Sequence, residues 1–323
     1  MMGRASAPAK IILFGEHFVV YGNPAILAAI SRRMTVAARV VDTRKITIRS
    51  DIGVAGEYSS SRFMSLGGKD AKAILDPLYN AVRQALVARR QQKTGIEIDV
   101  SSEIPHGIGL GSSAASCVAT AAAVDSLFGR PDKQRICEQA IESERIIHRD
   151  SSGADCYIST FGGLILYSKS EGFKKIESES LLPLVIANTS IKHSTGYLVA
   201  SVKKFRDRKE SLFKSLASQA GDICTQALAA IAAGKREKIG SLMSENQSLL
   251  RQIGVSHQKA DELIDVCTNA GALGAKITGA GGGGAVIALA ATKQDRTKIA
   301  SRIRADGYDS FEVEIDQRGL IVL

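Results

Sequence analysis

The chain of 323 residues has no tryptophan, 6 prolines, and only 5% aromatic residues. Its basic residues are dispersed and not interleaved with aromatics, which argues against a nucleic-acid groove. Five cysteines (Cys117, Cys137, Cys156, Cys224 and Cys267) are an odd number without C-x-x-C spacing. They encode neither a disulfide framework nor a zinc site, and they point to a reducing compartment. No apolar run nears the roughly 18 residues of a membrane span. The first run, Ile11–Phe14, is cut by Gly15, Glu16 and His17, so the N-terminus does not read as a signal peptide and a cytoplasmic location is expected.

Several nucleotide and hydrolase signatures are also missing. There is no G-x-x-x-x-G-K-[ST] and no G-x-S-x-G, which excludes a Walker A loop and the usual serine-hydrolase elbow. Gly279, Gly281 and Gly284 satisfy G-x-G-x-x-G, but a strand-like run, Ala285–Ala290, follows where a dinucleotide fold needs a helix. His148, Arg149 and Asp150 spell the protein-kinase triplet without the Asn, D-F-G or V-A-I-K that give it meaning.

What is present is ordinary globular material, 45% apolar and 23% charged. At about 150 residues per domain the length suggests two lobes. Lys and Arg outnumber Asp and Glu by 42 to 33, a surplus of +9 that favours anionic partners. The charge run Lys203–Lys209 reads as a solvated helix face.

Strand patterns occupy 9–14, 35–49, 96–100 and 164–167. Helical periodicity marks 70–92, where Ile74, Leu75, Leu78, Val82 and Leu86 share a face, and also 112–127 and 133–148. In the third helix Ile136, Ala140, Ile141 and Ile147 point inward. A polar, nonperiodic stretch from Ser168 to Ser180 then separates a second half, which opens with the strand 183–188. Helical patterns over 195–271, strands at 275–278 and 285–290, and a helix over 293–305 complete it. The expectation is an α+β fold in two lobes, 1–180 and 181–323.

Of 30 glycines, eight fall in two stretches, Gly107 to Gly111 and Gly279 to Gly284, which suggests backbone close to a ligand. The first stretch, Pro105-His106-Gly107-Ile108-Gly109-Leu110-Gly111-Ser112-Ser113, joins a strand to a helix. Free N–H groups and the helix dipole there can cradle a phosphate, although a tight turn capped by Ser112 would use the same residues.

This loop resembles the second motif of the GHMP kinases, the galactokinase, homoserine, mevalonate and phosphomevalonate kinase superfamily. Pro8-Ala-Lys-Ile-Ile-Leu-Phe-Gly-Glu-His-Phe-Val-Val-Tyr-Gly22 is similar to its first motif, and Lys276-Ile-Thr-Gly-Ala-Gly-Gly-Gly-Gly284 to its third. G-E-H followed by V-V-Y-G resembles the mevalonate kinase branch, as do Glu144 to His148 with Ser152-Gly-Ala-Asp155, and Asn188 to Thr195. Three positions depart from the branch pattern: Ala9 for Gly, Ser151 for Pro, and His193 for Arg.

The resemblance implies a ribosomal-protein-S5-like N-terminal lobe, an α+β C-terminal lobe, and a site in the cleft between them. It implies ATP and Mg²⁺, mevalonate as acceptor, 5-phosphomevalonate as product, and a homodimer that engages neither nucleic acid nor membrane. Asp155 would accept or orient the hydroxyl proton, from a loop after Ser152-Gly153, and Lys10 would stabilise charge on the transferring phosphoryl group. Ser113 and Glu144 would hold Mg²⁺, whose hardness suits oxygen donors. Residues 105–113 would bind nucleotide. Glu16, His17, Thr195 and Gly281 would join Lys10 and Asp155 around the substrate, and Gly279–Gly284 would brace the phosphate loop. A sibling kinase, diphosphomevalonate decarboxylase, or a nucleotide- or nucleic-acid-binding protein are the competing readings.

Overall fold

Two long antiparallel strands frame the N-terminal lobe of the computed structural model, which describes residues 2–59, 62–146, 152–178, 182–191 and 195–323. They are β1 (Met2–Phe14) and β2 (Ala25–Val41), joined through a 3-10 turn at Phe18–Tyr21. There follow β3 (Lys45–Ser50), β4 (Ala55–Ser59), β5 (Arg62–Gly67), α1 (Ala71–Ala88), β6 (Gly95–Ser102), α2 (Ser112–Ser126), α3 (Lys133–Glu144), α4 (Ala154–Phe161), β7 (Leu164–Ser168) and β8 (Gly172–Ile176). The C-terminal lobe contains β9 (Leu184–Asn188), α5 (Thr195–Arg208), α6 (Glu210–Ala232), α7 (Arg236–Gln252), α8 (Gln258–Asn269), β10 (Gly274–Ile277), β11 (Ala285–Leu289), α9 (Lys293–Ala305) and β12 (Asp309–Val313). A last strand, β13 (Ile321–Val322), returns to β1.

The first sheet runs β13-β1-β2-β6-β3-β4-β5, with β7 on β2 and β8 on β7; the second runs β10-β11-β9-β12. Helix α2 is the hub of the first lobe. Every residue from Ala114 to Asp125 is buried, and a helix apolar all round must be enclosed on every side. Its alanines let β1, whose Ala5, Ala7 and Ala9 are fully buried, approach closely. The charge that α2 buries, Asp125, is neutralised by Arg89 Nε at 2.8 Å and Arg135 Nη2 at 2.9 Å, as burial of a carboxylate requires. On α1 the expected face is buried at Leu75, Leu78, Val82 and Leu86, with Ile74 partly so. In the second lobe β11 is buried along its whole length and β9 along nearly all of it.

Four sequence expectations change. The single strand expected over 35–49 is the end of β2 and, after a bend at 42–44, β3. The polar stretch 168–180 contains β8, whose residues pair with β7 although Lys174 and Lys175 face solvent. Asp155 lies in the first turn of α4, not on a loop, because Gly153 turns the chain and the buried face of Ala154, Ile158 and Ser159 makes a short helix. The chain end does not stay with the second lobe. Arg33 holds it to the first through Asp316, with further hydrogen bonds to Ser6 and to the Gly319 carbonyl. The expected solvated face is present, with Lys203, Lys204, Arg208 and Lys209 exposed on or beside α5. The 180/181 boundary, Ile147, the His148-Arg149-Asp150 triplet, Ser151 and His193 lie outside the described residues.

Candidate active site

Lys10 owes its position to an irregularity in β1. Pro8 has no N–H to give the β1–β2 ladder, and the register shifts between Pro8 and Ala9, a bulge that re-aims the next side chain. The Lys10 backbone N–H then donates to the Leu110 carbonyl at 2.9 Å, tying the strand to the glycine loop. Its stem lies against Gly111. There a Cβ would stand 2.7 Å from Lys10 Cγ, and φ is +71°, so the position excludes other residues on both counts. The ammonium reaches Asp155 Oδ2 at 3.2 Å, with the lysine side chain 7% exposed and the aspartate 31%. A nearly dry cation thus meets a carboxylate that solvent, and therefore substrate, can reach.

Beside this pair the loop 105–111 leads into α2, with Ser112 and Ser113 in its first turn. Ser112, Ser113 and the exposed His106 line one end of a cavity of about 550 Å³ whose other walls are largely apolar. Pro105 is half-buried, Ile108 and Leu110 anchor the loop in the core, and Gly107, Gly109 and Gly111 all turn left-handed. The arrangement suits a phosphate chain at the helix N-terminus and an apolar ring system beyond it.

Glu144 ends α3 and is 4% exposed; its Oε2 accepts from Cys156 Sγ at 3.5 Å. Burial and the Glu144 charge push the Cys156 thiol well up, which keeps it a donor. The Ser113 hydroxyl and the Glu144 carboxylate are both hard oxygen donors, so the residues present fit Mg²⁺ in kind. Among the described residues there is no group of three His, Cys, Asp or Glu side chains that could hold a metal by themselves. Phosphate oxygens and water would have to complete such a site.

The second glycine stretch, in the third motif, packs on the first two motifs. Thr278 Oγ1 accepts from the Ile12 N–H at 2.9 Å and donates to the Ile12 carbonyl at 3.0 Å, as if it were a strand residue beside β1. A Cβ on Gly279 would lie 3.4 Å from the Gly109 carbonyl oxygen, so this stretch runs beside the phosphate loop. A Cβ on Gly281 would stand 2.3 Å from the Val255 carbonyl oxygen, and φ is +77°, so packing and backbone conformation both require glycine there. His17 Nε2 lies 2.8 Å from the Ala280 carbonyl, and burial pushes its pKa below the ordinary value. A neutral ring that donates from Nε2 fits both facts.

Glu16 departs most from expectation. Its carboxylate is fully buried in an ion pair with Lys276, also fully buried, and its second oxygen accepts from Asn246 Nδ2 at 3.1 Å. Lys276 also donates to the Ile277 carbonyl at 2.7 Å. Glu16 therefore joins the lobes and has no surface to offer an acceptor. Thr195 is exposed at the start of α5, and among the described residues no hydrogen bond ties it to Lys10 or Asp155. Sequence reasoning gives Lys276 no role within the third motif, and its only signal is a lysine inside an otherwise apolar strand. Asn246 carries none, being one polar residue on a long helix.

Comparison with known proteins identifies the family. The GHMP kinases N terminal domain matches residues 77–163 and the GHMP kinases C terminal domain residues 227–309. Mevalonate kinase of Pyrococcus furiosus is 40% identical over 98% of this chain and 97% of its own. That of Thermococcus gammatolerans is also 40% identical, with the same coverage. The crystal structure of L. major mevalonate kinase in complex with R-mevalonate is similar with a TM-score of 0.84 and 29% identity, over 98% of this chain and 96% of that one. The chain belongs to the GHMP kinase family, and these full-length relatives within it are mevalonate kinases.

Proposed function

We propose that the protein transfers the γ-phosphoryl group of ATP to the 5-hydroxyl of mevalonate. The observation that carries this reading is the Lys10–Asp155 pair at 3.2 Å, set against Gly111 of the phosphate loop. Asp155 takes the hydroxyl proton as the new O–P bond forms, and the bond from the γ-phosphorus to its bridging oxygen breaks to leave ADP. Lys10, short of water, offsets charge on the equatorial oxygens more strongly than a solvated lysine could. The N–H groups at the start of α2 and the loop 105–113 hold the phosphates. Ser113 and Glu144 would hold Mg²⁺, which would supply neutralisation of the phosphate charge.

The acceptor assignment is supported by the full-length relatives named above. In this reading His17, beside the buried Glu16, joins Lys10 of the first motif on the acceptor side, and Thr195 supports the substrate from α5. A coupled ADP-release assay with mevalonate, homoserine, galactose and phosphomevalonate tests it; equal or higher kcat/KM on any of the last three would overturn the acceptor while leaving the kinase. Five unbridged cysteines, all buried, support a cytoplasmic enzyme. A homodimer completes the proposal, and the molar mass from light scattering at micromolar concentration would test it.

A further inference from the structure

The 550 Å³ cavity has a polar end at the phosphate loop and a largely apolar remainder, and one carboxylate interrupts the apolar wall. Asp76, on α1, is held from two sides. Tyr58 Oη donates to Oδ1 at 3.0 Å, and Lys72 Nζ donates to Oδ2 at 2.6 Å. Tyr58 is buried and stacked on Tyr79 with ring centroids 4.1 Å apart, so its hydroxyl has little freedom. Burial and the neighbouring carboxylate push its pKa upward, and it stays a donor. An ionised carboxylate has about four lone-pair positions and no hydrogen to give, so Asp76 retains acceptor capacity toward the cavity.

The next residue adds a second acceptor. Pro77 lies inside α1 and has no N–H, so the Ala73 carbonyl, four residues earlier, loses the donor that a helix would supply. Ala73 also lines the cavity. A proline here costs helix stability and brings no turn, since α1 continues through it to Ala88. The nearby Ser102 hydroxyl is already engaged, donating to the Ile104 carbonyl at 2.9 Å and accepting from the Ile104 N–H at 3.1 Å. This wall therefore presents acceptors in an apolar setting.

We infer that Asp76 and the Ala73 carbonyl select a nucleobase carrying an exocyclic amine, as adenine does, and reject one with a carbonyl at that position. An amine donates to the lone pairs that Tyr58 and Lys72 leave free on Asp76 and to the Ala73 carbonyl, whereas a carbonyl oxygen placed against the Asp76 carboxylate sets acceptor against acceptor with no hydrogen between them. The inference rests on the ATP reading above and assigns the base selectivity of that site to α1.

The experiment compares ATP with inosine triphosphate, which differs in replacing the amine by a carbonyl, with mevalonate as acceptor. In the wild-type protein kcat/KM for ATP should exceed that for inosine triphosphate by on the order of 10- to 100-fold, the size of one hydrogen bond to a charged group. In Asp76→Asn, whose amide can turn either face, the ratio should fall to within a few-fold of unity. Pro77→Ala restores an N–H that competes for the Ala73 carbonyl, and should lower the ratio less. Equal use of both nucleotides by the wild type, or an unchanged ratio in a folded Asp76→Asn, would overturn the inference and leave the kinase standing. Phosphorylation of mevalonate with neither triphosphate would overturn both. Equal use of the two nucleotides by the wild type overturns the inference even if a variant fails to fold, and the smaller change expected of Pro77→Ala supplies a second test.

Discussion

Replacing Lys276 by methionine would leave Glu16 buried without its counter-charge. Both side chains are fully buried, so no water can enter without structural change, and a buried pair broken from one side costs about 3–5 kcal/mol. At roughly 2–4 °C per kcal/mol for a domain of moderate size, Lys276→Met should lower Tm by about 6–20 °C. Asn246 Nδ2 would remain as a donor to Glu16, which favours the lower part of that range. Glu16→Gln alone strands the lysine instead, and burial already pushes the Lys276 pKa down, so this variant can lose its proton and should suffer less. Glu16→Gln/Lys276→Met removes both charges while keeping an acceptor for Asn246, and should be more stable than Lys276→Met alone. Denaturant unfolding of the four proteins closes the double-mutant cycle. A loss below about 1 kcal/mol in Lys276→Met, a value typical of exposed pairs, would refute the reasoning.

Asp155→Asn should reduce kcat by on the order of 10²- to 10⁴-fold with little change in ATP affinity, and its effect should be less than additive with that of Lys10→Met. Single-turnover and binding measurements check this, and near-wild-type turnover in Asp155→Asn would move the search for a base elsewhere. Glu144→Gln should keep the fold and raise the Mg²⁺ concentration needed for half activity; an unchanged titration would make Glu144 merely a buried helix end. His17 has a folded pKa lowered by burial, so below about pH 6.5 the unfolded chain binds the extra proton and stability falls as pH drops toward the folded value. His17→Gln should flatten that slope below about pH 6.5 in denaturant titrations, and an undiminished slope would assign it to another group.

The parts of the site that a single segment builds are legible in the amino-acid sequence. The loop 105–113 announces a strand, alternating glycines and a helix start within a few residues, and it folds that way. Helix α1 shows its face through spacing, and the first and third motifs flag backbone that must pass close to other backbone. Some short elements are not legible. β5 has mostly exposed residues, including glycine and serine that favour no strand, and the eight residues of α4 are too few for a period to emerge.

What the amino-acid sequence determined by itself was therefore chemistry in local order: which loop could hold phosphates, which lysine and aspartate were available, and the family pattern uniting them. Only the tertiary structure decided which groups meet. Glu16 and Lys276 are 260 residues apart, and His17 and Ala280 are 263 apart, yet both contacts close the same seam between the lobes. The physical reason is that side-chain periodicity reports an element's own buried face but carries nothing about its partner. A buried charge is stable only where packing brings its counter-charge, and that pairing exists solely in the folded chain.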